Sequence, residues 1–131
     1  MKASVHHVQL NVSRPSIPFY KALLAHLGYT LMAEQPDIFG ATNGTTDLWI
    51  VQTDPAYAAR GFHRKATGLN HLAFRVETRT DVDRFTQEFL NARSIPSLYG
   101  GPREYPEYRP GYYAVFFEDP DRLKLELAHI P

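Results

Sequence analysis

An internal repeat constrains the fold of this chain more than any other feature. His7-Val8-Gln9-Leu10-Asn11-Val12 returns 64 residues later as His71-Leu72-Ala73-Phe74-Arg75-Val76. Both copies alternate with the period of a half-buried strand. In the first, Val8, Leu10 and Val12 share one face, with His7, Gln9 and Asn11 opposite. In the second, Leu72, Phe74 and Val76 are the apolar face, with His71, Ala73 and Arg75 opposite. A repeat of this size is weighed before any single motif, because it defines the unit that must bury itself against a neighbour.

Each copy continues in the same way. Phe19, Leu23, Leu24 and Leu27 recur at helical spacing, with Ser13 as the expected N-cap and Gly28 as the residue that ends the helix. Phe85, Phe89 and Leu90 repeat that pattern, and Thr80 with Asp83 has capping-box spacing. Residues 29–34, 38–42 and 47–52 read as short strands, with the hairpin signal Asn43-Gly44 between the last two. Residues 53–67 read as a loop. Strands are then expected over 95–99, 112–118 and 123–129, the last two joined by the turn Asp119-Pro120-Asp121-Arg122. Each half thus reads strand, helix, strand, strand, strand. The helix covers one face of its sheet. The other face, carrying His7 or His71, has to be met by the sister sheet or by another subunit. The expected architecture is α+β: two βαβββ modules, about 1–67 and about 68–131, whose sheets form one curved, cup-shaped mixed sheet in a single domain spanning 1–131.

Composition narrows the function classes. Fourteen Lys and Arg balance fourteen Asp and Glu, so no electrostatic footprint points to nucleic acid. No apolar run approaches the roughly 20 residues of a spanning helix. The first residues, Met1-Lys2-Ala3-Ser4-Val5-His6-His7, lack the apolar core of a secretory signal. With no cysteine in the chain, disulfides, thiolate ligands and a cysteine nucleophile are excluded, and the cytoplasm is the expected compartment. The eight Tyr and eight Phe are dense between Tyr99 and Phe117. Pro96, Pro102, Pro106 and Pro110 fall in the same region, which reads as a long ordered loop of the kind that often binds.

The chemistry is expected on the polar face. In Leu123-Lys124-Leu125-Glu126-Leu127-Ala128-His129 the leucines share one face and Glu126 lies opposite. A mid-strand carboxylate flanked by leucines is costly to desolvate unless a charge meets it. Two neutral imidazoles, His7 and His71, and one carboxylate, Glu126, make a two-histidine, one-carboxylate divalent-metal site with open positions. Its ion would be Fe, Mn, Ni or Zn. His6 is the rival for His7 but has the wrong parity. Gln9, Asn11, Arg75 and Lys124 share the cavity face as substrate-binding candidates, the two cations as anion contacts. Tyr105, Tyr108, Tyr112 and Tyr113 are candidates to wall the pocket, and Tyr113 is also the candidate catalytic residue.

These residues and their order resemble the vicinal oxygen chelate superfamily, which includes glyoxalase I, bleomycin-resistance proteins and extradiol dioxygenases. The likeness covers nearly the whole chain. It rests on His7–Val12, on Phe19-Tyr20 before Leu23-Leu24, on His71, and on the run from Tyr113 to Asp121 leading to Leu125-Glu126-Leu127. It implies a metal held by the first strand of each module and the last strand of the second, hence His7, His71 and Glu126. Many metal-using members carry a fourth ligand on the last strand of the first module. Aligning the two last strands puts Ile50 opposite Glu126, or Trp49 after a slip of one residue; either is apolar. This argues against an ordinary lactoylglutathione lyase and leans toward the three-ligand dioxygenase arrangement. Arg122 stands where the family turn usually has glycine.

Three functions follow. The first is a metalloenzyme that chelates two neighbouring oxygens of a small-molecule substrate and performs lyase, isomerase or dioxygenase chemistry. The second is a metal-free binding protein of the bleomycin-resistance kind. The third, thiol transfer to an epoxide, would need a thiol cosubstrate. A homodimer is expected, with no nucleic-acid or membrane partner. Whether His7 and His71 meet within one chain or across two stays open.

Overall fold

Eight strands form two four-stranded sheets in the computed structural model, which describes residues Met1–Pro131. Both halves have the expected βαβββ order. The chain divides after Gly61 into units Met1–Gly61 and Phe62–Pro131.

In the first unit, β1 (His7–Val12), α1 (Ser16–His26), β2 (Thr30–Gln35), β3 (Ile38–Thr42) and β4 (Asp47–Gln52) form a sheet of order β1-β4-β3-β2. β1 runs parallel to β4, as the intervening crossover requires, and the remaining pairs are antiparallel hairpins. Leu10, Val12, Phe39, Leu48 and Ile50 are buried with Ile17, Tyr20, Leu23 and Leu24 of α1. The helix starts later than Ser13. Its N-cap is Pro15, and Ser13 contributes its carbonyl to the Ser16 N–H. It ends where expected: Gly28 has φ 81°, and the Tyr29 and Gly28 N–H groups donate to Leu24 and Ala25 in a Schellman arrangement. Asn43 closes the β3–β4 loop by accepting the N–H groups of Thr45 and Thr46.

The region expected to be loop over 53–67 contains a 3₁₀ helix, Pro55–Arg60, because the Asp54 carboxylate caps the Ala56 N–H.

In the second unit, β5 (His71–Val76), α2 (Arg79–Phe85), β6 (Ser97–Glu104), β7 (Tyr113–Glu118) and β8 (Lys124–His129) form the order β5-β8-β7-β6. The capping box is Thr78 with Asp81, not Thr80 with Asp83. The Thr78 hydroxyl accepts the Asp81 N–H and the Asp81 carboxylate accepts the Thr78 N–H. α2 widens into a π turn over Thr86–Leu90. The Phe85 ring stacks on Phe89 and tilts against Phe117 of β7, so Val115, Phe117, Leu125 and Leu127 form the helix-side core. The expected long aromatic loop is shorter than its sequence suggests, because its first part is strand. β6 runs to Glu104, with a bulge between Leu98 and Arg103 where Tyr99, Gly100 and Gly101 all have positive φ. The β7–β8 turn places Arg122 at φ 67°. No helix is long and apolar enough to cross a membrane.

Candidate functional site

The register of the second sheet decides which side chains meet. His71, Ala73 and Arg75 lie beside Lys124, Glu126 and Ala128, and Glu126 lies opposite Phe116. All of these project from the face away from α2, as do Ala114 and, by continued alternation, Tyr112. Glu126 is 2% exposed. Its Oε1 accepts a 2.5 Å hydrogen bond from the Tyr112 hydroxyl, and its Oε2 lies 3.2 Å from His71 Nε2.

Asn70 sets the state of that imidazole. Its side-chain amide donates to the Arg64 carbonyl at 3.0 Å, which turns its Oδ1 toward His71 Nδ1 at 2.8 Å. The acceptor Oδ1 requires the proton on Nδ1, so the neutral ring presents a lone pair at Nε2. A carboxylate oxygen and an imidazole lone pair then face each other. Something positive belongs between them, either a proton on Nε2 or a cation. A divalent ion fits this donor chemistry: one imidazole nitrogen and one carboxylate oxygen lie 3.2 Å apart, and their outer atoms are tied to Asn70 and Tyr112.

His7 shows the same local device. Its Nδ1 is 3.0 Å from Nδ1 of His6, the residue that precedes it as Asn70 precedes His71. In both units the neighbouring residue engages Nδ1, and in the second unit Nε2 lies on Glu126. His6, the expected rival, is therefore a partner to His7. The structure brings His71 and Glu126 together. No three histidine, aspartate or glutamate side chains form a group of metal-binding size.

Register corrects the fourth position. β1 and β4 pair Gln9 with Trp49 as β5 and β8 pair Ala73 with Glu126. Trp49, not Ile50, is therefore the counterpart of Glu126, while Ile50 is buried on the helix side. The indole lies over Gly40, where an added Cβ would come within 2.8 Å of the ring.

Tyr113 is also corrected. Its hydroxyl donates to Asp83 of α2 at 2.7 Å, which puts it on the opposite face from Glu126. The bond to Asp83, with burial, pushes its phenol up to about 12, so it is no base near neutrality. The tyrosine on Glu126 is Tyr112, which sequence reasoning treated only as a wall residue. Counting pairs back from the Asp119–Arg122 turn would have found it. Burial first, and then the Glu126 hydrogen bond, raise the Tyr112 phenol far above the ordinary tyrosine range. It acts as a hydrogen-bond donor.

The other candidates separate. Tyr105 stacks on Tyr108 at 5.4 Å and sits edge-on to Phe116 at 5.3 Å, while Tyr108 meets Tyr112 at 5.5 Å. They form an aromatic layer around the Glu126 hydroxyl partner. Arg75 is exposed, and its Nη2 donates to the Ile130 carbonyl at 2.7 Å. Gln9 and Asn11 are exposed and 3.5 Å apart. Lys124 is half-buried beside His71. A cavity of about 180 Å³ opens elsewhere, on the helix side of the first sheet among Lys21, Tyr29 and Phe39.

No protein-family model matches the chain. Its sheets, its βαβββ order and its relatives nevertheless define its class. The chain belongs to the glyoxalase/bleomycin resistance/dioxygenase family, the vicinal oxygen chelate superfamily. Among particular proteins, it is similar to a glyoxalase-like protein of Bacillus halodurans, with 40% identity and a TM-score of 0.82, covering 96% of this chain and 95% of that one. A glyoxalase family protein from Enterococcus faecalis is 30% identical with a TM-score of 0.66, covering 96% and 97%. The uncharacterized Bacillus subtilis (strain 168) protein YqjT is 36% identical over 126 residues, 95% of this chain and 97% of its own.

Proposed function

We propose that this chain is a small divalent-metal enzyme whose ligands are His71 Nε2, Glu126 Oε2 and His7 Nε2, acting on a small molecule with two neighbouring oxygens. The observation that carries this reading is the 3.2 Å approach of His71 Nε2 to the buried Glu126 Oε2, with Asn70 Oδ1 on the ring's other nitrogen at 2.8 Å. His7 is assigned as third ligand by the repeat and by its matching Nδ1 contact to His6. A bound Fe, Mn, Ni or Zn ion supplies Lewis-acid stabilisation of an oxyanion in the substrate. The protein's own contribution is positional. Tyr112 holds Oε1, so that Glu126 offers one oxygen, and Asn70 fixes both the ring plane and the tautomer of His71. Trp49 supplies no fourth ligand, which favours dioxygenase chemistry over a lactoylglutathione-type isomerisation. A homodimer is the proposed assembly.

A metal-free binding protein is the second reading. It is favoured by the aromatic layer of Tyr105, Tyr108, Tyr112 and Phe116 beside a single buried carboxylate. Elemental analysis of tag-free protein separates the two. Near-stoichiometric metal, lost in His71→Ala, supports the enzyme. Protein that carries no metal and takes up none of Fe(II), Mn(II), Ni(II) or Zn(II) sinks that reading and leaves the binder. Oxygen uptake by anaerobically Fe(II)-loaded protein with catechols then tests the dioxygenase branch.

A further inference from the structure

We propose that Lys124 receives the carboxylate of a small aryl-bearing organic acid on the face that carries His71 and Glu126. Lys124 pairs in register with His71 and lies two residues before Glu126 on the same strand face. Its ammonium sits 4.8 Å from the Phe116 ring centroid and 5.1 Å from that of Tyr99. It belongs to none of the ion pairs of the chain.

The neighbouring cations each have another contact. Arg75 donates to the Ile130 carbonyl. Arg64 and Arg122 both bind Glu118, the cross-strand partner of Lys124, one to each carboxylate oxygen, at 3.0 and 3.2 Å. Arg103 lies over the Tyr105 ring and donates to the Glu104 carbonyl. The one carboxylate across from Lys124 is thus already satisfied. Lys124 is left as a half-buried ammonium that rings attract from one side and no anion meets. An incoming carboxylate would form a charge-assisted hydrogen bond there, the strong kind.

Backbone strain points to the same place. Tyr99 has φ 56° and is followed by Gly100 and Gly101 at 84° and 94°. A left-handed tyrosine is disfavoured by its own Cβ, and such strain collects where a ligand is held. Here it turns an exposed ring edge-on to Phe116 at 5.5 Å, against the lysine. The two rings offer an apolar surface to the body of the acid while the ammonium takes its charge.

This inference rests on the reading of this face as the substrate face, but it does not need the metal. The test titrates phenylpyruvate and its uncharged methyl ester into the full chain by calorimetry, metal-stripped and again with Mn(II). The acid is expected to bind about tenfold or more tightly than the ester, the scale of one charge-assisted hydrogen bond. Lys124→Met, which keeps the stem on the rings, brings the acid down to the ester's level, and Lys124→Arg restores the preference. Equal binding of acid and ester, an acid preference that survives in Lys124→Met, or failure of the acid to bind at all overturns the proposal. Protein that takes up no metal yet prefers the acid refutes the metal reading alone. Protein that binds metal but does not distinguish acid from ester refutes this inference alone.

Discussion

Replacing Glu126 by glutamine tests the central geometry by the sign of its effect on stability. Glu126 is almost fully buried, with Oε1 on Tyr112 and Oε2 3.2 Å from His71 Nε2. A buried acceptor oxygen without a donor costs about 1–3 kcal/mol, and more when it is charged. Glutamine has the same shape. Its oxygen keeps the Tyr112 bond, and its amide donates to His71 Nε2, worth about 0.5–1.5 kcal/mol. Glu126→Gln is therefore expected to stabilise the metal-stripped chain by about 1–2 kcal/mol, raising Tm by roughly 3–8 °C for a chain of this size. Urea unfolding at neutral pH, followed by circular dichroism after chelator treatment, measures it. With Mn(II) added, the wild type gains stability in proportion to binding and the variant does not. The opposite outcome refutes the reasoning. If His71 carries a second proton, the pair is a half-buried salt bridge, and removing one partner destabilises the chain.

Four further outcomes are expected. Arg122→Gly relieves a left-handed arginine, worth about 1–2 kcal/mol, against about 0.4–1 kcal/mol of added freedom in the unfolded chain. With Arg122 largely exposed in its pair with Glu118, a net gain of about 0.5–1 kcal/mol should appear in the urea midpoint. Thr78→Ala removes the α2 capping box and should cost about 1 kcal/mol in the same assay. Tyr113 has its folded pKa raised to about 12 by Asp83. Its contribution is complete below the ordinary tyrosine range and is lost as pH rises through about 10 to 12, so Tyr113→Phe should flatten the alkaline fall in stability and remove the late step of the ultraviolet titration. Gly40→Ala drives a methyl into the Trp49 ring and should destabilise by about 1–3 kcal/mol, with a shift in indole fluorescence.

Much of the architecture was legible because its signals were local. Strand alternation at His7 and His71, the Asn43-Gly44 turn and the Gly28 helix end each sit within a few residues, and β3 and β4 fall where the pattern placed them. The errors lie where two local patterns competed or where pairing is remote. Thr78 and Thr80 both head capping-box spacings, and only the point at which the chain leaves β5 selects Thr78. β4 pairs with β1 through a crossover, so no turn pins its register, and Ile50 was read where Trp49 stands. The glycines of the β6 bulge disguised a strand as loop. In the site, His71 and Glu126 were visible from parity. Asn70 was not, because its role depends on a carbonyl six residues earlier in the chain. Tyr112 is distinguished from Tyr113 only by its pairing distance from the hairpin turn.

The indole over Gly40 has a practical consequence. Trp49 is the one tryptophan in the chain, and it lies in the unit that ends at Gly61. Five of the eight tyrosines, from Tyr99 to Tyr113, lie in the other unit. Excitation selective for indole therefore watches the first half, while the tyrosine ring resonances in proton NMR are weighted toward the second. If the two probes melt at one temperature, the duplicated halves fold as a single cooperative body. If they part, the duplication has left two independently melting pieces, and their separation measures how strongly one copy has come to depend on the other.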